Sequence, residues 1–533
     1  MYCSIQVIIM NDPGTKGFWT QLKKRKVVRV ALAYILVSWF VMQVGEIALE
    51  GLGLPPWTLT LTIVLLLLGF PVALVLAWAY EITPMRVRKD SASFVESIIE
   101  SEDNLDSAPS IAVLPFDDMS EKGDQAYFCE GIAEEILNAL DTIANLRVAS
   151  RMASFQFGGK QADIREIGKK LNVQNVLEGS VRKSGDNLRI TTQLINARDG
   201  FHIWSSQFDR KLVEIFDIQE EIANSIAKAL SLSLKRKINQ SQQQVDPKAY
   251  DFFLRGLHYF ARHTTQDNIY ARQMFKQAID IEPEFGRAWA GLSYTYGFSY
   301  MYFNASDVNR AEARRTSLQA LKLAPELAES HVSAGIASCM NQDYANADSE
   351  FEKAIELDPK HYEAWYFFGR TKVHEGDLAR ALKLFHRASR VRPEDFQSVL
   401  LQAQLYTSLG QTSKAMEVTR KGIKLVRAVL ELNPDDNRAL NMGAFALLRL
   451  GEKEEAEQWI LTSMRNAPMD SIIQYNGACF FSLAGEVERA LDCLEDCLIK
   501  VGNISRDWLL HDSDMDNIRD NPRYEKIISS FPD

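Results

Sequence analysis

Ala347-Asp348-Ser349-Glu350-Phe351-Glu352-Lys353-Ala354-Ile355-Glu356-Leu357-Asp358-Pro359 reads as the closing half of a repeated unit, and its spacing decides the fold. Ala347, Phe351 and Ala354 precede Pro359 by 12, 8 and 5 residues. Ala381, Phe385 and Ala388 stand at the same distances before Pro393, and Ala271, Phe275 and Ala278 before Pro283. Working outward, Pro283, Pro325, Pro359, Pro393, Pro434 and Pro468 keep a common phase: three of the five gaps are 34 residues, and the others are 42 and 41. Proline has no N–H to continue a helix and disfavours helical geometry in the residue before it, so each should end a helix. Small Ala fits where two helices approach closely, and Phe fills the space between successive pairs.

A 34-residue period with this pattern resembles the tetratricopeptide (TPR) repeat, a pair of antiparallel helices that must stack on its neighbours to bury its apolar faces. First helices carry matching residues: Trp289 with Leu292, and Trp365 with Phe368 and Gly369. The spacing predicts seven units over residues 250–502, with weaker ones around Ala456 and Ala490. Of the two long gaps, residues 301–309 are expected to lengthen a loop, and 422–433 to add about two turns of helix. Residues 503–533, polar and acidic, are expected to cap the last repeat. Such an array is an all-α superhelical solenoid that holds a partner and has no catalytic group of its own.

The resemblance implies that side chains one and five residues after the Trp position line the inner groove. These are Ala290 and Tyr294, Tyr366 and Arg370, then Leu400 and Gln404. Tyr294, Tyr366, Arg370 and Gln404 are the candidate residues for a protein or peptide partner, since aromatic and Arg side chains dominate interface energetics. That Tyr294 and Tyr366 only pack between repeats stays open. The groove lacks the Lys/Asn set resembling a carboxylate clamp for C-terminal peptides.

The chain has 533 residues, 46% hydrophobic and 24% charged, so it is long enough for several domains, and its net charge of −10 argues against a nucleic-acid binder. Near its start, residues 27–49 and 59–80 are each apolar over roughly the 20 residues that cross a bilayer core. Lys23, Lys24, Arg25, Lys26 and Arg29 flank the first, and Arg86, Arg88 and Lys89 follow the second, while the loop between has no Lys or Arg. That bias predicts a two-helix transmembrane hairpin, residues 27–80, with both ends cytoplasmic. Residues 1–26 then form a cytoplasmic segment and 81–109 a polar linker. Glu46 is expected at the interface rather than in the membrane core.

Between linker and repeats, residues 110–235 alternate short strands and helices before a hairpin, which implies a small mixed α/β domain; residues 236–249 read as a second polar linker. Expected strands are 110–116, 146–150, 175–183, 187–196 and 202–208, and expected helices 131–142, 164–171 and 215–234. In 187–196, Leu188, Ile190, Thr192 and Leu194 alternate with Arg189, Thr191 and Gln193, as a half-buried strand should. Gly131-Ile132-Ala133-Glu134-Glu135-Ile136, Val176-Leu177-Glu178-Gly179-Ser180-Val181-Arg182 and Trp204-Ser205-Ser206-Gln207-Phe208-Asp209-Arg210 resemble the TolB amino-terminal type of domain. The resemblance implies a bacterial inner-membrane protein of the adenylate-cyclase-associated group, with a cytoplasmic signalling or assembly role. The 26 residues before the first expected span are too few for a cyclase or winged-helix domain.

No catalytic constellation emerges. Gly158-Gly159-Lys160 lacks the upstream Gly and following Ser/Thr of a phosphate loop, and neither His-Glu-x-x-His nor Gly-x-Ser-x-Gly occurs. Asp117-Asp118 favours loop solvation over a metal, and Cys493 and Cys497, four apart on an expected helix, favour core packing. The six cysteines show no disulfide framework. The sequence therefore predicts a non-enzymatic membrane-anchored scaffold with a protein partner and no cofactor, metal or nucleic acid. A regulatory subunit of a separately encoded nucleotide cyclase is the alternative. Homo-oligomerisation, and a small ligand in the α/β domain, stay open.

Overall fold

The computed structural model describes Val95 and residues 109–529, apart from 142, 144–145, 159–162, 231–244, 263, 303–304, 502–508 and 510–511. The expected hairpin 27–80 lies outside them, and among the described residues no helix is long and apolar enough to cross a membrane.

The α/β region follows the expected alternation, with shifted boundaries. In order come β1 (Ser110–Val113), β2 (Asp117–Asp118), α1 (Ala126–Asp141), β3 (Arg147–Val148), α2 (Arg151–Phe155) and α3 (Ile164–Leu171). Then follow β4 (Asn175–Ser184), β5 (Asn187–Asn196), β6 (His202–Lys211), a 3-10 turn Leu212–Glu214 and α4 (Ile215–Ala229). They build a six-stranded sheet, β3-β1-β4-β5-β6, with β2 pairing β4. β1 runs parallel to β3 and β4, whereas β4, β5 and β6 are antiparallel. Gly185 at φ +58° supplies the left-handed backbone that a two-residue hairpin turn requires.

The helical region begins with α5 (Pro247–Phe260) and α6 (Thr265–Ile281), then α7 (Gly286–Tyr302), α8 (Asp307–Leu323), α9 (Ala328–Met340) and α10 (Tyr344–Leu357). It continues through α11 (Tyr362–Glu375), α12 (Leu378–Val391), α13 (Phe396–Ser408), α14 (Thr412–Leu432), α15 (Asn437–Leu450), α16 (Lys453–Asn466), α17 (Ser471–Leu483) and α18 (Val487–Val501). Successive helices pair as α5/α6 through α17/α18, the stacking of a TPR array.

The proline phase has a visible physical basis. Glu282, Ala324, Asp358, Arg392, Asn433 and Ala467, each directly before a repeat proline, leave helical geometry with φ between −128° and −143°. Six residues after three of those prolines a ring N–H returns to the proline carbonyl: Trp289 to Pro283 at 2.9 Å, His331 to Pro325 at 2.8 Å, and Trp365 to Pro359 at 2.8 Å. His331 thus does the work of Trp in its repeat. Ala347, Phe351, Ala354, Ala381, Phe385 and Ala388 are all fully buried. A methyl on Gly369 would meet the Phe385 ring at 2.9 Å, so the first helix stays bare where the second helix inserts its Phe.

The 41-residue gap appears as the predicted extension: α14 has 21 residues against 14 in α12. The 42-residue gap differs from expectation. α7 continues through Tyr302 and α8 starts at Asp307, each 17 residues long, so the insertion lengthens helices more than the loop. Tyr302 continues the helix because its ring packs on Phe298, 4.4 Å between centroids. At the far end, the 3-10 turn Ser513–Met515, α19 (Asp516–Arg519) and α20 (Pro522–Ser529) bring Met515, Ile518, Tyr524, Ile527 and Ile528 onto the core shared with α17 and α18.

The α/β region does not hang free on its linker. α1 packs on both α4 and α5, with Gly131 admitting the Leu254 side chain, and Gln219 Nε2 of α4 donates to the buried Tyr250 hydroxyl of α5 at 3.1 Å. Arg287 clasps Glu135 through two hydrogen bonds, 2.8 and 2.7 Å. Further along the solenoid, Lys360 Nζ donates to the carbonyls of Asp141 and Leu146, both at 2.9 Å, so a lysine charge closes the C-terminal end of α1. Glu394 accepts from the Ser150 N–H at 3.1 Å, and Leu432 packs on the cluster of Leu114, Phe157, Ile167, Val176 and Ala197. The sheet region therefore covers the otherwise exposed first repeat and braces a row of inter-repeat turns.

Candidate functional site

The inner face is built from the first helices α5, α7, α9, α11, α13, α15 and α17, and its middle is occupied by the chain's own side chains. Arg370 Nη1 donates to the Tyr302 hydroxyl at 2.8 Å across two repeats. Arg438 at the start of α15 lies 5.9 Å from the centroid of Phe298 on α7, and donates to Gln397 at 3.1 Å. Phe298 also meets Phe260 edge-on at 5.6 Å.

The four sequence-derived residues consequently fall in different settings. Tyr366 and Arg370 are buried, at 4% and 8% exposure, and offer little surface to another molecule. Tyr366 stacks on Tyr362 and meets Phe385 edge-on. Tyr294 is half-buried against Phe260, and burial pushes its phenol pKa well up. Gln404 is half-buried and opens onto a cavity of about 310 Å³.

That cavity opens on the inner face. Leu400, Met442, Ala446 and Leu448 give it apolar walls together with Phe445 and Leu483, and Gln404, Thr407, Arg449 and Asp514 give it polar ones. Its elements are α13, α15, α17 and the cap, so three repeats and the tail converge on it. The combination is that of a slot for an apolar side chain, with amide and hydroxyl groups placed for a backbone beside it. Phe445 stands five residues after Leu440, which holds the Trp position of its repeat, so the groove rule carried one repeat beyond Gln404 would have found it. Asp514 carried no such signal.

Other sequence candidates resolve simply. Asp118 accepts from the N–H groups of Ser120 at 2.9 Å and Gln125 at 2.7 Å, which ties the loop before α1 and lowers its carboxyl pKa despite burial. Cys497 lies in the core between α17 and α18, and burial pushes its thiol to about 12. Residues 159–160 of the Gly-Gly-Lys turn lie outside the described residues. One grouping had no sequence signal: Cys479 Sγ and the Asp512 and Asp514 carboxylates lie within 4.8 Å of one another, all buried. The Tyr475 hydroxyl donates to Asp512 at 2.7 Å, which fastens the cap to α17, and the Asp514 N–H donates to the other Asp512 oxygen at 3.0 Å.

One residue beside this face makes the array acid-sensitive. His374, near the end of α11, is held down to about 4 by burial and the neighbouring Arg370 charge. The folded state keeps it neutral while the unfolded chain binds a proton near pH 6.5, so the unfolded state gains protons first as pH falls. Stability should be flat above pH 6.5 and decline toward pH 4, by about 1–2 kcal/mol once partial exposure of the ring is allowed for. Asp141, raised to about 6 by burial against the pull of Lys360, works in the opposite sense over pH 6 to 4. The measurement is therefore a difference: urea unfolding at pH 7 and 5 should show a smaller acid loss in His374→Gln than in the wild type.

Comparison with known proteins places these parts. Residues 107–225 match the HilA/YgeH-like transcriptional regulator, second domain, and residues 340–405 and 419–470 match the tetratricopeptide repeat. The TolB amino-terminal reading of the sheet region is corrected by the first of these. The chain is 38% identical over 197 residues to putative adenylate cyclase 3 of Rhizobium meliloti (strain 1021), covering 36% of this chain and 34% of that protein. It is 26% identical over 161 residues to superkiller protein 3 of Schizosaccharomyces pombe, 30% of this chain and 11% of that one. The chain thus spans about a third, or less, of the length of these relatives. Among solved structures it resembles the human IFIT1 dimer with m7Gppp-AAAA, at 14% identity and TM-score 0.41, over 57% of this chain and 67% of that one. This is a TPR repeat protein, related over part of its length to putative adenylate cyclase 3.

Proposed function

We propose that this chain is a non-enzymatic scaffold, anchored in a bacterial inner membrane by residues 27–80 with both ends cytoplasmic, that holds a protein partner on the inner face of its repeats. The observation that carries the reading is the slot between α13, α15 and α17, apolar at Leu400, Met442 and Phe445 and polar at Gln404 and Thr407. Burying one Leu-sized side chain there would contribute about 1.5–3 kcal/mol, and the polar groups would set the direction of the bound segment. The two apolar stretches and their flanking Lys and Arg residues support the anchor.

Affinity purification from detergent-solubilised membranes tests this. Phe445→Ala should weaken capture by about 2 kcal/mol, near thirtyfold in Kd, and because the ring also packs edge-on against Phe480 the comparison is made at a temperature where circular dichroism shows the variant folded. Full retention by Phe445→Ala and Gln404→Ala together would remove the slot from consideration.

A second reading, supported by the relation to putative adenylate cyclase 3, is that the partner is a separately encoded nucleotide cyclase under this protein's control. Cyclase activity in membranes with and without the chain separates the two readings, and equal activity would end the regulatory one.

A further inference from the structure

We propose that two copies of this chain join through antiparallel pairing of β6 with β6, across a two-fold axis at Gln207. Among the described residues, β6 forms the open edge of the sheet: ten residues long, paired only to β5 and without proline. An edge of that length is a template for another strand unless it is capped or interrupted.

Which of its backbone groups face outward follows from the register. Ser184 and Asn187 flank the two-residue turn and exchange hydrogen bonds, so the alternation along β5 sends Leu188, Ile190, Thr192 and Leu194 toward β6. Their partners Arg210, Phe208, Ser206 and Trp204 point inward, which leaves Ser205, Gln207 and Asp209 with N–H and C=O groups on the open edge. The outward set stops at both ends. The register shift at Leu194/Ile195 displaces Ile203, and the Lys211 N–H is already taken by Glu214 at 2.8 Å. Gln207 is the centre of what remains, and a two-fold there pairs Ser205 of each copy with Asp209 of the other.

The second copy fits this register chemically. Trp204 of one copy stands opposite Arg210 of the other, a cation over an aromatic face. Ser205 faces Asp209 and Gln207 faces Gln207, and no two like charges are opposed. The strand's exposed apolar residues also find each other: Phe201 and Ile203, at 73% and 41% exposure, lie at one end, and Val213 at 63% at the other. Antiparallel pairing brings the Phe201 end of one copy over the Val213 end of its mate. A register moved by one step would set Asp209 diagonal to Asp209 of the other copy, which disfavours it.

The test uses the full-length protein in mild detergent. Light scattering should report a dimer. Directly opposed hydrogen-bonded residues have Cα atoms about 5.5 Å apart, within reach of a disulfide, so Gln207→Cys should give a covalent dimer on mild oxidation. Gln193→Cys, one strand in from the edge, and the wild type should not. Gln207→Pro removes an N–H that makes no bond inside the monomer, and should yield monomer with unchanged circular dichroism. If Gln207→Pro loses its fold, the cysteine result decides alone. A wild type that is monomeric at all concentrations, a dimer that Gln207→Cys cannot lock, or Gln207→Cys trapping a different polypeptide each overturn the proposal.

Discussion

Arg287→Met should lower the unfolding free energy by about 3–5 kcal/mol, because it leaves the Glu135 carboxylate buried without its cation. Glu135 is 6% exposed, and its two oxygens are held by Arg287 at 2.7 and 2.8 Å. Glu134 lies beside it with its own carboxyl pKa raised, burial being the main cause, so the site already disfavours negative charge. The double variant Glu135→Met/Arg287→Met should recover most of the loss, since two apolar side chains replace a pair whose desolvation cost offsets much of its attraction. Thermal and urea unfolding of the three variants checks this. Equal losses in the single and double variants would mean that the contact acts by shape and not by charge. Because the pair joins α1 of the sheet region to the second repeat, the single variant should also uncouple the two regions and expose α1 to hydrogen exchange.

Phe351→Ala should cost about 3–5 kcal/mol, the range for emptying a fully buried aromatic site. The ring is at 0% exposure, stacks on Phe368 at 5.5 Å, and sits where a methyl on Gly335 would come within 2.8 Å. The Gly335 backbone of α9 and the Phe368 ring of α11 form its walls, so little collapse can refill the space. The preceding repeat supplies a control. Ser317 holds the position of Phe351 there, and its hydroxyl donates to the Arg314 carbonyl of its own helix at 3.0 Å. Ser317→Ala should therefore change stability by less than about 1 kcal/mol. Hydrogen exchange should place the loss from Phe351→Ala in α9–α12, as neighbour-coupled repeats require. Uniform exposure across all the helices would instead indicate that the docked sheet region makes the whole array one cooperative unit.

Much of this architecture was legible one repeat at a time. The prolines, the Ala-Phe-Ala spacing and the added turns of α14 are consequences of contacts within a helix pair or with its neighbour, which lie close in the chain. The hairpin 175–196 was legible for a similar reason, since Gly185 and period-two alternation act over a few residues. The sheet region's kinship was not: short strands and helices with ordinary apolar spacing are common to many small α/β domains, and Ser110–Val113 or Arg147–Val148 hold too few residues to separate them. The inner-face rule named Gln404, which lines a cavity, yet it could not tell that Tyr366 and Arg370 are covered.

The order of residues by itself determined the unit, its phase and the helix ends set by the repeat prolines, because proline geometry and side-chain size act locally. Only the tertiary structure decided which inner-face positions stay open. Small rotations between repeats accumulate, until Arg438 reaches Phe298 and Asp514 of the cap comes to line a cavity with Gln404. It also decided that the sheet region clasps the solenoid through Glu135 and Lys360, since those partners, Arg287 and the end of α1, are separated by more than a hundred residues of chain.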